Sequence, residues 1–150
     1  MNLPEYKDIK IRKTQSGKYE VLDILRRRFV SLTPEEWVRQ HFVNYLVTEK
    51  GYPMALMANE IELRVGEKRL RCDSVLFNSQ CQPRMIIEYK AESVQLTDKV
   101  LTQIMTYNML LHVNYLIVSN GNEHCCLHYD IDKEKWLQLP EIPDYSLLEE

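Results

Sequence analysis

The segment "RLRCDSVLFNSQCQPRMIIEYKA", residues 69–91, holds two β-prone runs separated by a turn. Val75, Leu76 and Phe77 close the first run, and Met85, Ile86 and Ile87 form the middle of the second. "NSQCQP", residues 78–83, has the composition of the connection between them. Side chains alternate along a strand, so Glu88 and Lys90 share a face with Ile86. Arg71, Asp73, Val75 and Phe77 share a face of the first run for the same reason. An antiparallel pairing that sets Phe77 against Arg84 and Val75 against Ile86 places Asp73 opposite Glu88, with Lys90 one pleat along. A slip by one residue separates the two acids. Charges at the end of a core strand are costly unless they are paired or bound to a metal.

Working outward, "VGEK" at 65–68 turns the chain into the first of these runs from a third strand over 58–65. Before that, "SLTPEEWVRQHFVNYLVTEKGYP" predicts a helix. Thr33 is its N-cap, Pro34 its first residue and Glu36 the closing member of a capping box. Trp37, Val38, Phe42, Tyr45 and Leu46 form its apolar stripe, and "KGYP" ends it. Thr97 caps a second helix through "DKVLTQIMTYNMLLH", and "NYLIVSN" is a strand stopped by Asn120-Gly121. A short hairpin over 9–13 and 18–24 precedes this core, and "HCCLHYDID" with "KWLQL" forms a terminal hairpin. The expected fold class is α/β (α+β): a mixed sheet with flanking helices, in a single domain covering residues 1–150.

A chain of 150 residues with 45% hydrophobic and 27% charged residues is long enough and apolar enough to bury a core. No apolar run approaches the roughly 18 residues needed to cross a bilayer, and "MNLPEYKDIK" lacks the apolar core of a signal peptide. A cytoplasmic chain with no membrane partner is therefore expected. The net charge of −3 excludes a uniformly basic nucleic-acid protein. It conceals a polarity, because residues 1–28 carry net +4 and residues 120–150 net −6. The four cysteines show no C-x2-C pair and read as reduced thiols. His41, His112, His124 and His128 read as surface residues, and Trp37 and Trp136 as packing residues.

At about 4–5 Å, two bare carboxylates repel by several kcal/mol at an effective dielectric near 20. A divalent cation between them removes that cost, and Mg²⁺ takes one or two protein carboxylates together with water and phosphate oxygens. A metal held there polarises a phosphodiester and acidifies a bound water. Lys90 would orient that water, or neutralise charge in the transition state. Spacing alone leaves a second reading open, in which Asp73 neutralises Lys90 and Arg71 pairs with Glu88.

"LTPEEWVRQHFVNYLV", "RLRCDSVLF", "PRMIIEYKA", "LTQIMTYNMLL" and "YLIVSNG" follow one another in that order. Together, over about residues 20–122, they resemble the N-terminal nuclease domain of type I restriction enzyme R subunits, part of the PD-(D/E)XK nuclease superfamily. The resemblance implies a restriction-endonuclease-like αβββαβ core and a metal-dependent nuclease acting on phosphodiesters, with DNA as the expected substrate. It makes Asp73 and Glu88 the metal-binding acids, Lys90 the catalytic lysine and the Tyr89 backbone carbonyl a further ligand to Mg²⁺ or Mn²⁺. Glu36, ahead of Glu35, is the candidate for an additional acid from the first helix. Gln103 and Tyr107, four apart on the second helix, resemble a Q-x3-Y element beside the active site, and Arg71 joins them as a substrate-binding candidate. The proline of the superfamily name is missing before Asp73, and no motor domain accompanies the nuclease segment. Two other readings stand beside this one: a catalytically weak nucleic-acid-binding or assembly module, and an interaction protein whose "EIPDYSLLEE" tail covers a second copy. A homodimer or a separate motor or targeting subunit is the protein partner each would imply.

Overall fold

The computed structural model describes residues 1–148, with only the backbone of Tyr107 described. The N-terminal segment forms β1 (Ile11–Lys13), β2 (Tyr19–Asp23) and β3 (Arg28–Ser31), a three-stranded antiparallel sheet of its own. The expected hairpin is present, but β3 was not anticipated. "RRRFVS" has only two apolar positions, Phe29 and Val30, to mark it, and β3 is paired along its whole length with β2, from Glu20↔Ser31 to Asp23↔Arg28.

The main sheet begins after helix α1 (Pro34–Thr48). Thr33 caps that helix by accepting from the Glu36 N–H at 3.0 Å. Its strands are β4 (Met57–Val65), β5 (Lys68–Phe77), β6 (Pro83–Tyr89), β7 (Tyr115–Ser119), β8 (His124–Asp130) and β9 (Lys135–Leu139), neighbours in that order. Between β6 and β7 runs helix α2 (Asp98–Asn108), capped by Thr97 and continued by a 3-10 turn, Met109–Leu111. His112, at φ 49, ends that turn in the left-handed region. β6 and β7 are parallel, as a crossover through a helix allows, and the other adjacent pairs are antiparallel. The αβββαβ order read from the sequence is the order observed, and the terminal hairpin extends the same sheet.

The two helices cover opposite faces of the sheet. Val38, Phe42 and Leu46 of α1 pack on Leu76, Ile87 and Ile117. Leu101, Ile104 and Met105 of α2 pack on Val75, Ile86 and Leu116. The adjacent Cys125 and Cys126 divide between these two clusters, as strand alternation requires, and the cysteines are unbridged. As far as Leu148 the tail packs on the sheet: Ile142 and Leu148 are buried in the α1-side core, and the Tyr52 hydroxyl donates to the Pro143 carbonyl at 3.0 Å. No helix of the described residues is long and apolar enough to cross a membrane.

Candidate active site

The register through the middle of β5 and β6 is the expected one, with Val75 opposite Ile86 and Ser74 opposite Ile87. At the turn end it differs. A bulge between Leu76 and Phe77 sets Phe77 against Pro83 instead of Arg84. At the other end the backbone ladder stops after Ser74↔Ile87, where continuing the register brings Asp73 against Glu88. The next donor, the Tyr89 N–H, goes to Asp73 Oδ2 at 2.9 Å. A carboxylate therefore takes the bond that a strand carbonyl normally accepts, and β5 is released from β6 at this point.

Glu88 lies against Asp73, and the two carboxyls are hydrogen-bonded to each other. The Glu88 carboxyl is pushed up to about 8, first by burial, then by the Asp73 charge and their mutual bond. The Lys90 ammonium and a hydrogen bond with Asn108 act in the opposite direction. A raised carboxyl is what a buried acid beside a second negative charge is expected to show. Lys90 is half-buried, and its main-chain N–H is fixed by the Ser119 carbonyl at 2.9 Å. The Tyr89 side chain leaves on the other face, where its hydroxyl donates to Ser74 Oγ at 2.9 Å. Only its backbone belongs to the Glu88–Lys90 strand end.

Arg71, Glu88, Lys90, Gln103, Ile104 and Asn108 line one open cleft of about 270 Å³. The structure thus brings Arg71 and Gln103 to the same place as Glu88 and Lys90. The side chain of Tyr107 lies outside the described residues. A second groove of about 320 Å³, beside Met109, Ile131 and Trp136, has no carboxylate in its lining. Glu36 is committed elsewhere: Arg26 donates to its Oε1 at 2.7 Å and Gln40 to its Oε2 at 2.9 Å. The reciprocal half of the expected capping box is replaced by these contacts. Glu35 is exposed in the first helical turn.

Sequence reasoning missed Arg39, Glu60 and Asn108. Asn108 is 2% exposed, and its Oδ1 has no hydrogen-bond partner among the described residues. Arg39 was hidden by its position inside an apolar stripe, and Glu60 by the alternation of β4, which gives no hint of its φ of 52. Cys72, although near both acids, is no competing nucleophile, since burial and then the Glu88 and Asp73 charges push its thiol up to about 12.

Among the described residues no group of three or more His, Cys, Asp or Glu side chains is placed to share an ion. What the chain offers is two hard oxygen donors in contact. That set fits Mg²⁺ or Mn²⁺, which complete their coordination with water and phosphate oxygens, and does not fit a structural zinc centre.

A family model described as the type I restriction enzyme R protein N terminus (HSDR_N) matches residues 34–143. No curated protein matches the chain. A cryo-EM structure of a DrdV–DNA complex is similar over 71% of this chain, at 19% identity and a TM-score of 0.45. The chain spans about a tenth of that protein's length, since 10% of it is covered.

Proposed function

We propose that this chain, which belongs to the type I restriction enzyme R protein N-terminal family, is a divalent-metal-dependent nuclease domain that cleaves phosphodiesters of DNA. The observation that carries the reading is Glu88 beside Asp73, its carboxyl raised by burial and by the Asp73 charge, at a cleft that Glu88, Lys90, Arg71 and Gln103 line. Mg²⁺ or Mn²⁺ bound at that pair supplies a Lewis acid for the phosphoryl oxygen and an acidified water.

The chain's own groups divide the remaining work. Asp73 is fixed by the Tyr89 N–H, and Glu88, its carboxyl raised in the absence of a cation, would lose its proton to complete an anionic oxygen pair. The Tyr89 carbonyl, between Glu88 and Lys90, is the further oxygen. Lys90 holds the attacking water or neutralises charge gathering on the phosphate. Arg71 and Gln103 contact the nucleic-acid backbone from the cleft wall. Glu36 is held by Arg26, Arg39 and Gln40, so this scheme assigns it no direct ligand role.

The test is nicking of supercoiled plasmid in Mg²⁺. Wild type should convert it to open-circular and linear forms, with activity lost in Asp73→Asn, in Lys90→Ala and on chelation. Equal low activity in wild type and variants overturns the enzymatic reading. A second reading, a catalytically weak nucleic-acid-binding or assembly module of the same fold, is motivated by the net charge of −3, because a nuclease acting alone would benefit from an electropositive surface. Salt-dependent DNA binding that needs no metal and survives Asp73→Asn would select it.

A further inference from the structure

Helix α1 turns Glu36, Arg39 and Gln40 toward the interior, where charge is tolerated only in well-paired networks. Arg39, 5% exposed, makes two hydrogen bonds through its terminal nitrogens and a close ion pair through Nε. Nη1 donates to the Asp73 carbonyl at 2.9 Å, Nη2 to Glu60 Oε1 at 2.5 Å, and Nε lies 3.1 Å from Glu36 Oε2. Glu60 passes the contact on, accepting from Arg71 Nε through its other oxygen at 3.1 Å.

The backbone shows why such a brace stands here. Asn59 pairs with Ser74 and Ile61 with Cys72, while Glu60, between them, is turned into the left-handed region at φ 52. That conformation is disfavoured for glutamate and persists where surroundings fix it. At the same level Asp73 leaves the β6 ladder. Its main chain is thus held from helix α1, where a regular sheet would use its neighbours.

We infer that Arg39 and Glu60 are positioning residues for the cleft: Arg39 fixes the Asp73 main chain, and Glu60, gripped by Arg39, holds Arg71 at the cleft wall. The inference deepens the proposed function and rests on Asp73 being one of its acids. A flat guanidinium directs two hydrogen bonds, to the Asp73 carbonyl and to Glu60, in fixed directions, which a lysine ammonium at the same place does not.

The test is Arg39→Lys in the full chain, read by amide hydrogen exchange. The Tyr89 N–H reports the Asp73 carboxylate, and the Lys90 N–H, bonded to Ser119, is an internal reference one residue away. Exchange at Tyr89 should quicken by about tenfold or more while Lys90 holds its protection, the mark of a local opening. Loss shared equally by both amides, or by neither, overturns the inference. If Arg39→Lys does not fold, Glu60→Gln removes the charge that Arg39 grips, and the same selective loss is expected under the same criterion. Calorimetric titration of these proteins with Mn²⁺ separates the two levels of argument. Selective exchange without Mn²⁺ binding by wild type overturns the metal reading and supports the brace; Mn²⁺ binding with unselective exchange does the reverse.

Discussion

The main-chain N–H of Tyr89 donates to the carboxylate of Asp73 across 2.9 Å, so a side chain substitutes for a strand carbonyl at the end of the β5–β6 ladder. That substitution fixes Asp73 beside Glu88 where the ladder ends, next to the cleft that Glu88 and Lys90 line. Consequences follow for proton linkage, for turnover and for folding stability.

Glu88 links stability to pH. Its folded-state value of about 8 lies above the ordinary carboxylate range, so the folded chain holds a proton that the unfolded chain releases. Stability should therefore fall as pH rises from about 5 to about 8, by a few kcal/mol at most. Urea unfolding across this range should show that decline in wild type and a much flatter profile in Glu88→Gln. Parallel profiles would refute the raised Glu88 carboxyl.

Lys90 is assigned to chemistry and not to folding. Its replacement by alanine should reduce the plasmid-nicking rate by about 10²–10⁴. The unfolding free energy should stay within about 1 kcal/mol of wild type, because the side chain is half-buried at a strand end. A large loss of stability with nicking intact would return Lys90 to the ion-pair reading.

Much of this architecture was legible in the sequence because its signals are local. Thr33 and Thr97 cap helices through their own side chains, and alternation in "RLRCDSVLF" and "RMIIEYK" fixes which faces meet. The bulge at Leu76/Phe77 was not legible, since no residue there demands it. Nor was the partnership of Glu36. A glutamate three residues after a threonine N-cap reads as a capping box, and only the fold reveals that Arg26 and Arg39 approach it from two sides. Asp23, read as the end of an ordinary hairpin strand, is 0% exposed and receives the side chain of Asn59 from 36 residues away.

That buried aspartate supports a separate expectation. Asp23 accepts from the Leu25 and Arg26 main-chain N–H groups, from Asn59 Nδ2 at 3.0 Å and from the Arg26 guanidinium. Burial alone would lift its carboxyl, but the bonds from Arg26 and Asn59 and from the backbone hold it below the ordinary range. Its stabilising contribution is present above the unfolded-state value near 4 and lost as pH falls through the lower folded one. Asp23→Ala should cost about 1–3 kcal/mol in urea unfolding at neutral pH, because it leaves the buried Asn59 Nδ2 without its acceptor and takes one of two carboxylates from Arg26. A cost under about 1 kcal/mol would show that this network does not anchor the N-terminal sheet.

The central claim is that Asp73 and Glu88 form a pocket for a divalent cation, and an Mn²⁺-soaked crystal tests it most directly. The account predicts an anomalous-scattering peak within ligand distance of both carboxylates. A peak elsewhere, or none at saturating Mn²⁺ with the two acids still hydrogen-bonded to each other, would contradict it.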